Sequence, residues 1–490
     1  MLTLKTPASP ATVRLILATV GAVLWVGVGA AVMFLAEDPS WQTPVLSAMS
    51  IAFSIWVFLR HGGRYVTAAG VWSVCAGLFG GFAGFYWMDA QPNDTALAKA
   101  IGVVFLTHAT MYYLFWAGRS SAEPEPGQVE RAALRGFIPL GLIMTGIGAA
   151  MVLAGVGSSV GAPLAFTGVV LASVGLLTGL GRRHGLISLI VVAALAIIYA
   201  EFVFSGFGRL VLSALAFSLV MVLLTRWRTW WAKIATLAAI PPALIYLIGQ
   251  REAFGLATTG QALDGVGSVV EPLRQFSVML ANPAAFDLAW GSTFWAALVT
   301  HVPSGLWAGK PEGLALESAW IYAPALAAMG GTLATLLHGE FVYNFGPLGL
   351  LVMVPAAGLL IRWLDLGLIR SIARGVASRR DGLVLTALII AAGGMTDLFW
   401  SGTHTFMGRT GTRLLLLLAL ILVWTWGERF RYRREARTVE GLYTVQVPSV
   451  PGVETGQRSR GVVRSGLASQ RTRRKASRVP AGIATDGPYH

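Results

Sequence analysis

Charge is what this chain has least of. Only 12% of its 490 residues are Asp, Glu, Lys or Arg, while 55% are hydrophobic. That charge fraction is roughly half of what a soluble domain carries. So apolar a chain has too little polar surface to cover a water-facing core, which excludes a soluble enzyme and makes lipid part of the solvent. Cysteine is nearly absent as well, Cys75 being alone in an apolar run. An intrachain disulfide is excluded, and so are cysteine-ligated zinc and iron–sulfur sites. No cluster has the ligand spacing of any other metal site, and no cofactor is expected. Walker and Rossmann glycine patterns, heptads and long repeats are also missing, which argues against nucleotide-driven transport by this chain alone.

What is present is glycine (58 residues), tryptophan (17) and a series of long apolar runs. Gly at helix contacts and Trp near headgroups are both common in membrane bundles. Runs of spanning length fall near 14–35, 44–59, 65–88, 97–116, 136–155, 160–180, 185–204, 210–224, 234–249, 346–361, 382–400 and 411–426. The expected fold is therefore all-α, a polytopic transmembrane bundle of about twelve spans. The first run has no small-residue cleavage site behind it and reads as an uncleaved span. The formal net charge is +14. With no basic folded domain to read nucleic acid, it reflects the bias of positive charge to the cytoplasmic side.

Basic connections occur at Arg60–Arg64, Gly181–Gly185, Thr225–Lys233 and Arg362–Arg380, with the mixed segment Arg119–Arg135 in the same set. AEDPSWQTP after the first span and DAQPND after the third are acidic or neutral. With basic connections inside, both termini of an inner-membrane protein are cytoplasmic. The ninth span then ends outside near Gly249, and the Arg362 stretch must lie inside. Only one crossing fits between them, so Tyr322–Leu337 is expected as a re-entrant or surface helix. This parity makes 250–345 one large outer loop, between nine spans in 1–249 and three in 346–427. The basic tail, 428–490, is expected to be disordered and cytoplasmic.

Polar residues beside apolar helix ends are functional candidates by default. Phe204–Arg209 (FSGFGR) sets Arg209 on the outer side, where Gly206 and Gly208 would let backbone approach a phosphate; a snorkelling arginine is the plain alternative. Leu288–Gly313 mixes aromatics and glycines with His301, Trp307, Lys310 and Glu312, a composition suited to sugar faces or headgroups, or to a loop lying on lipid. His338–Leu351 brings His338, Glu340, Tyr343 and Asn344 just before a span. His338 or Glu340 would act as general base toward a sugar hydroxyl, or the segment merely caps the next helix. Ser401–Arg413, expected as the last outer loop, carries Arg409 and Arg413. Asp397 and Glu201, inside apolar spans, are expected to pair with these arginines. Together the features suit a lipid-linked diphosphate sugar whose leaving group is held by arginines.

The second and third clusters carry a resemblance. Gly291, Ser292, Pro303, Trp307, Lys310 and Pro311, followed by Gly339, Glu340, Asn344, Phe345, Gly346 and Gly349, resemble the outer-loop motifs of bacterial oligosaccharide repeat-unit polymerases, the Wzy-type O-antigen polymerases. Ser304 stands where the family pattern has Arg, so either another cation, Arg274 or Lys310, substitutes or the activity differs from the family's. The resemblance implies a GT-C-like, metal-independent glycosyltransferase. It would join polyprenyl-diphosphate-linked oligosaccharide units on the outer face of the membrane, working beside a flippase and chain-length regulator proteins. It further implies diphosphate contacts at Arg209, Arg274 and Lys310, a base at Glu340 or His338, and sugar contacts at Asn344 and Trp307. The related O-antigen ligases are one alternative, and a non-catalytic transporter of polysaccharide or lipid intermediates is another.

Overall fold

The structure is a computed structural model that describes residues 18–443 apart from 36–37, 92, 118–124, 180–183, 205–209, 254–261, 304 and 329–330. Among these residues every regular element is helical, and the sole strand-like pairing is an isolated bridge between Val129 and Val376. Among the described residues nine helices are long and apolar enough to cross a membrane, including Ala18–Leu35, Pro39–Arg60, Ala68–Ala90, Thr95–Trp116 and Gly185–Val203. Leu210–Arg226 is apolar but shorter. The chain is thus an all-helical, multi-pass membrane protein.

Helix ends show how the bundle is sewn together. Asp38 accepts from the amide of Ser40 at 2.9 Å and starts Pro39–Arg60 with a proline in its first turn, a position where a missing N–H costs nothing. At the other end Lys233 is buried and donates to the carbonyl oxygens of Phe58 (2.9 Å) and His61 (2.7 Å). The loop then turns into Ala68–Ala90, whose first amides meet a buried carboxylate: Ala68 N–H reaches Asp365 at 2.6 Å and Ala69 N–H at 3.3 Å. A cation on a helix C-terminus and an anion on a helix N-terminus each satisfy groups the helix cannot satisfy itself.

Arg131–Leu153 and Ser158–Gly179 pack through small residues. A Cβ on Gly141 would lie 2.5 Å from the Ala172 nitrogen, and one on Gly148 would lie 2.5 Å from the Ala165 nitrogen. Close backbone approach supplies dispersion contact where lipid offers no hydrophobic drive between helices.

Several apolar helices contain a π-helical turn: Val23–Gly27, Gly77–Phe82, Tyr112–Trp116, Tyr199–Val203 and Met407–Gly411. Such turns carry one more residue than an α turn and rotate the faces beyond them.

Expectations change in the last third. The stretch 382–400 is not one continuous helix: Arg379–Gly393 stops at Gly394, and Met395–Phe406 begins there. Ser401–Arg413 is not a loop but helix, bent at Gly402 (φ 80°) and continued by the π turn into Thr412–Tyr443. Its polar composition suggested loop, yet its polar groups are met inside the protein. Between Gly249 and the next long helix, Tyr322–Leu337 forms no crossing helix; Leu314–Tyr322 and Pro324–Ala328 are short, and Leu336–Phe345 begins a separate buried helix. The chain divides into Met1–Gly427 and Glu428–His490. Helix persists to Tyr443 within the basic stretch that was expected to lack structure.

Candidate functional site

Leu336–Phe345 is short and almost wholly buried. It is followed by Gly346 at φ 66° and then by the long helix Gly349–Arg374. The turn is compact because Gly349 sits on Phe341: a Cβ there would lie 2.1 Å from the Phe341 carbonyl oxygen. This places Glu340 and Asn344, one helical turn apart, on the same face.

Asn344 ties in the Leu288–Leu298 segment. Its Nδ2 donates to Thr293 Oγ1 (2.6 Å) and to the Glu340 carbonyl (2.7 Å), and its Oδ1 accepts from Gly291 N–H (2.8 Å). The backbone adds Ala289 N–H to the Tyr343 carbonyl and Trp290 N–H to the Asn344 carbonyl, both 3.1 Å. These bonds hold Trp290 at φ 47° and Gly291 at φ 93°. Gly takes that conformation without penalty, whereas a tryptophan there stores roughly 1–3 kcal/mol.

Glu340 ties in Ser401–Arg413. Its carboxylate accepts from Thr403 N–H at 2.7 Å and from Thr403 Oγ1 at 2.6 Å, and Thr293 donates to it as well. A Cβ on Gly402 would lie 2.3 Å from Glu340 Oε2, so glycine is what allows this approach. Three stretches far apart in sequence therefore meet at one carboxylate.

Around this knot lie several basic groups. Lys310 Nζ donates to the carbonyls of Thr300 and Val302, both at 3.1 Å. Thr300 Oγ1 is 3.3 Å from His404 Nε2, and both Lys310 and His301 are close enough to His404 to act on it electrostatically. His301 is exposed and bonds to the Met407 backbone. Partial burial, with the Lys310 charge adding to it, holds the His301 ring below the usual imidazole range. The neutral form of an imidazole has one ring nitrogen that can accept a proton. Gly408 and Gly411 of the π turn pack beside Thr300 and His301, so the turn bearing Arg409 flanks the same group.

The other residues singled out from sequence fall as follows. His338 is 1% exposed. His338 Nε2 lies 2.9 Å from the Thr107 hydroxyl, which is also within reach of the Val103 and Val104 carbonyls. His338 Nδ1 faces an interior that holds Phe276 and Phe399, with no partner. Glu340 is also 1% exposed. Tyr343 bonds Glu317 and packs on Phe286. Trp307 lies at the surface, in the turn that leads to Lys310. Arg274 stands apart from the knot, paired with Glu271 at 3.2 Å and over the Trp87 ring. Arg409 pairs with buried Asp397 at 3.0 Å, and Arg413, buried over the Phe166 ring, lies 3.9 Å from the same carboxylate. The expected Asp397 pairing is thus present. Glu201 accepts instead from Tyr246 Oη at 2.7 Å. Arg209 and Ser304 lie outside the described residues. No group of three or more His, Cys, Asp or Glu among the described residues is arranged to hold a metal.

Thr293, Thr403 and Gly402 are essential to the knot and were not singled out, because a threonine or glycine in an apolar segment carries no mark of its partner. His404 had a signal, a histidine between two threonines beside an apolar run, but no assigned role. Comparison of the chain with family models, with curated proteins and with solved structures returned no match.

Proposed function

We propose that this chain is an inner-membrane glycosyltransferase of about twelve spans, GT-C-like, with both termini cytoplasmic. It transfers a glycan from polyprenyl diphosphate to a second lipid-linked unit, so polymerising oligosaccharide repeats into a surface or secreted polysaccharide. The observation that carries the reading is the meeting of the two motif-bearing stretches with Ser401–Arg413 at Glu340, with His301, Lys310, His404 and the Arg409 turn gathered beside it. Glu340 has its lone pairs engaged by three donors. We assign it, with Asn344, the task of holding the frame, and assign the base role to His301. An acceptor hydroxyl oxygen attacks the anomeric carbon and gives its proton to His301. The bond from that carbon to the diphosphate oxygen breaks, and polyprenyl diphosphate leaves with the charge that Lys310 and Arg409 offset.

The test is purified protein in vesicles supplied with a polyprenyl-diphosphate oligosaccharide and no other acceptor. Chain growth is expected, reduced roughly 10²–10⁴-fold by His301→Gln in protein that folds normally. Unchanged glycan length, or movement of the lipid-linked sugar across the vesicle without growth, would remove the proposal.

A further inference from the structure

The short helix Ser292–Leu298 is turned inside out for a helix bathed in water. Its small residues Thr293, Ala296 and Ala297 are buried, while Trp295 (52% exposed) and Leu298 (66%), three positions apart on one face, point away from the protein. Water would favour the opposite arrangement. Just before it Trp290 is 76% exposed and held outward by the backbone bonds to Asn344. An aromatic residue kept in an unfavourable conformation so that its ring stands outside the fold has a use for that position.

The patch has a neighbour that says what covers it. Leu288, partly exposed, packs toward Gly346, where a Cβ would lie 3.8 Å from its Cδ2. Beyond Gly346 come Leu348 and Leu351, each 72% exposed, at the start of Gly349–Arg374. That helix belongs to a segment apolar and long enough to cross the membrane. Exposed apolar side chains of a spanning helix and of the Leu288–Leu298 segment therefore approach each other at Gly346. Tryptophan concentrates where hydrocarbon meets headgroups, and exposed apolar side chains gathered beside a spanning helix suit an interaction with lipid.

We infer that Trp290, Trp295 and Leu298 insert into the bilayer interface, so that this segment rests on the membrane and does not hang free in water. The partner is the lipid surface itself. The hydrogen-bonded frame at Asn344 and Glu340 links this contact rigidly to His301 and Lys310. The contact thereby sets their height over the lipid, at the level of a headgroup diphosphate. That use, unlike the contact itself, rests on the transfer reading.

The single cysteine makes the test direct. In a full-length Cys75→Ala background, Trp295→Cys, Leu298→Cys, Leu348→Cys and Glu312→Cys are each labelled with an environment-sensitive nitrobenzoxadiazole probe. The proteins are then reconstituted into phosphatidylcholine–phosphatidylglycerol vesicles. Labels at 295, 298 and 348 are expected to emit at shorter wavelength and to lose about half or more of their emission to a nitroxide near the top of the acyl chain, as a shallow insertion of roughly 5–10 Å requires. The label at 312 is expected to be quenched by aqueous iodide alone. Labels at 295 and 298 that follow 312, or that neither quencher reaches because protein covers them, overturn the inference whether or not glycan transfer is found. Normal quenching at 348 shows that the protein is folded and inserted.

Discussion

Replacing Asn344 by alanine tests the frame most sharply. The substitution removes three hydrogen bonds of 2.6–2.8 Å, to Thr293, to the Glu340 carbonyl and from Gly291 N–H. A typical bond contributes about 1 kcal/mol net, and a buried group left without a partner costs about 1–3 kcal/mol. The backbone bonds of Ala289 and Trp290 to Tyr343 and Asn344 remain and limit the loss. A net local loss of about 2–4 kcal/mol follows, which multiplies the opening equilibrium of the Leu288–Leu298 segment about thirty- to a thousandfold. Hydrogen–deuterium exchange read by mass spectrometry on peptides from 288–298 should accelerate by that factor, with little change in the distant Ser158–Gly179 helix. Asn282→Ala, which removes only a bond from an exposed side chain to the Val278 carbonyl, should leave the same peptides unchanged. If Asn344→Ala exchanges like the parent protein at 288–298, the frame does not hold that segment, and the argument built on it fails.

Asp397→Asn should be severe, because buried Arg413 would lose its only carboxylate neighbour among the described residues and Arg409 its ion pair. A loss of about 3–5 kcal/mol is expected, seen as a lower melting midpoint in detergent, with Arg409→Met milder because that side chain is a third exposed. Gly141→Ala drives a methyl against the Ala172 backbone and should cost about 1–3 kcal/mol, whereas Gly146→Ala, with nothing within 4 Å of its Cβ, should be neutral or stabilise by about 0.5–1 kcal/mol; equal melting shifts for the pair would refute the close-packed seam. Burial holds Glu317 above its ordinary 4.5, only partly offset by the bond from Tyr343, and one of its oxygens has no partner. A carboxyl raised in the folded state contributes stability below its unfolded pKa and loses it as pH rises through the folded one. Glu317→Gln should therefore melt higher than the parent at neutral pH and no higher below about pH 4; a gain that persists in acid would contradict this.

The helical, membrane-spanning character was legible because hydropathy is additive along a run: each Leu or Val of 185–204 reports by itself. Span ends followed from the same signal, as with Gly185–Val203. The break at Gly394, the bend at Gly402 and the π turns were not legible, because each depends on what lies opposite. Gly402 is required by the carboxylate that Glu340 brings up, and nothing around 402 announces it. The site was half legible for the same reason. Glu340 and Asn344 stood out as polar residues entering an apolar run, and the two loops thought relevant do meet there. What they meet through, Thr293 and Thr403, are among the least informative residues in a membrane sequence. The arginines were legible as outer-side charges but not by their partners: Arg274 pairs with Glu271 and Arg409 with Asp397.

The clamp on the first helix hairpin has a consequence for how the chain is made. Lys233 lies 172 positions beyond His61, and Asp365 lies 297 beyond Ala68. A ribosome releasing this chain has extruded both early helices long before either clamping residue exists. The turn between Arg60 and Ala68 therefore stays provisional until synthesis is well advanced. A nascent chain cut short before residue 365 would leave the amides of Ala68 and Ala69 without their buried carboxylate, a chemical difference between unfinished and finished copies that membrane proteases could act on.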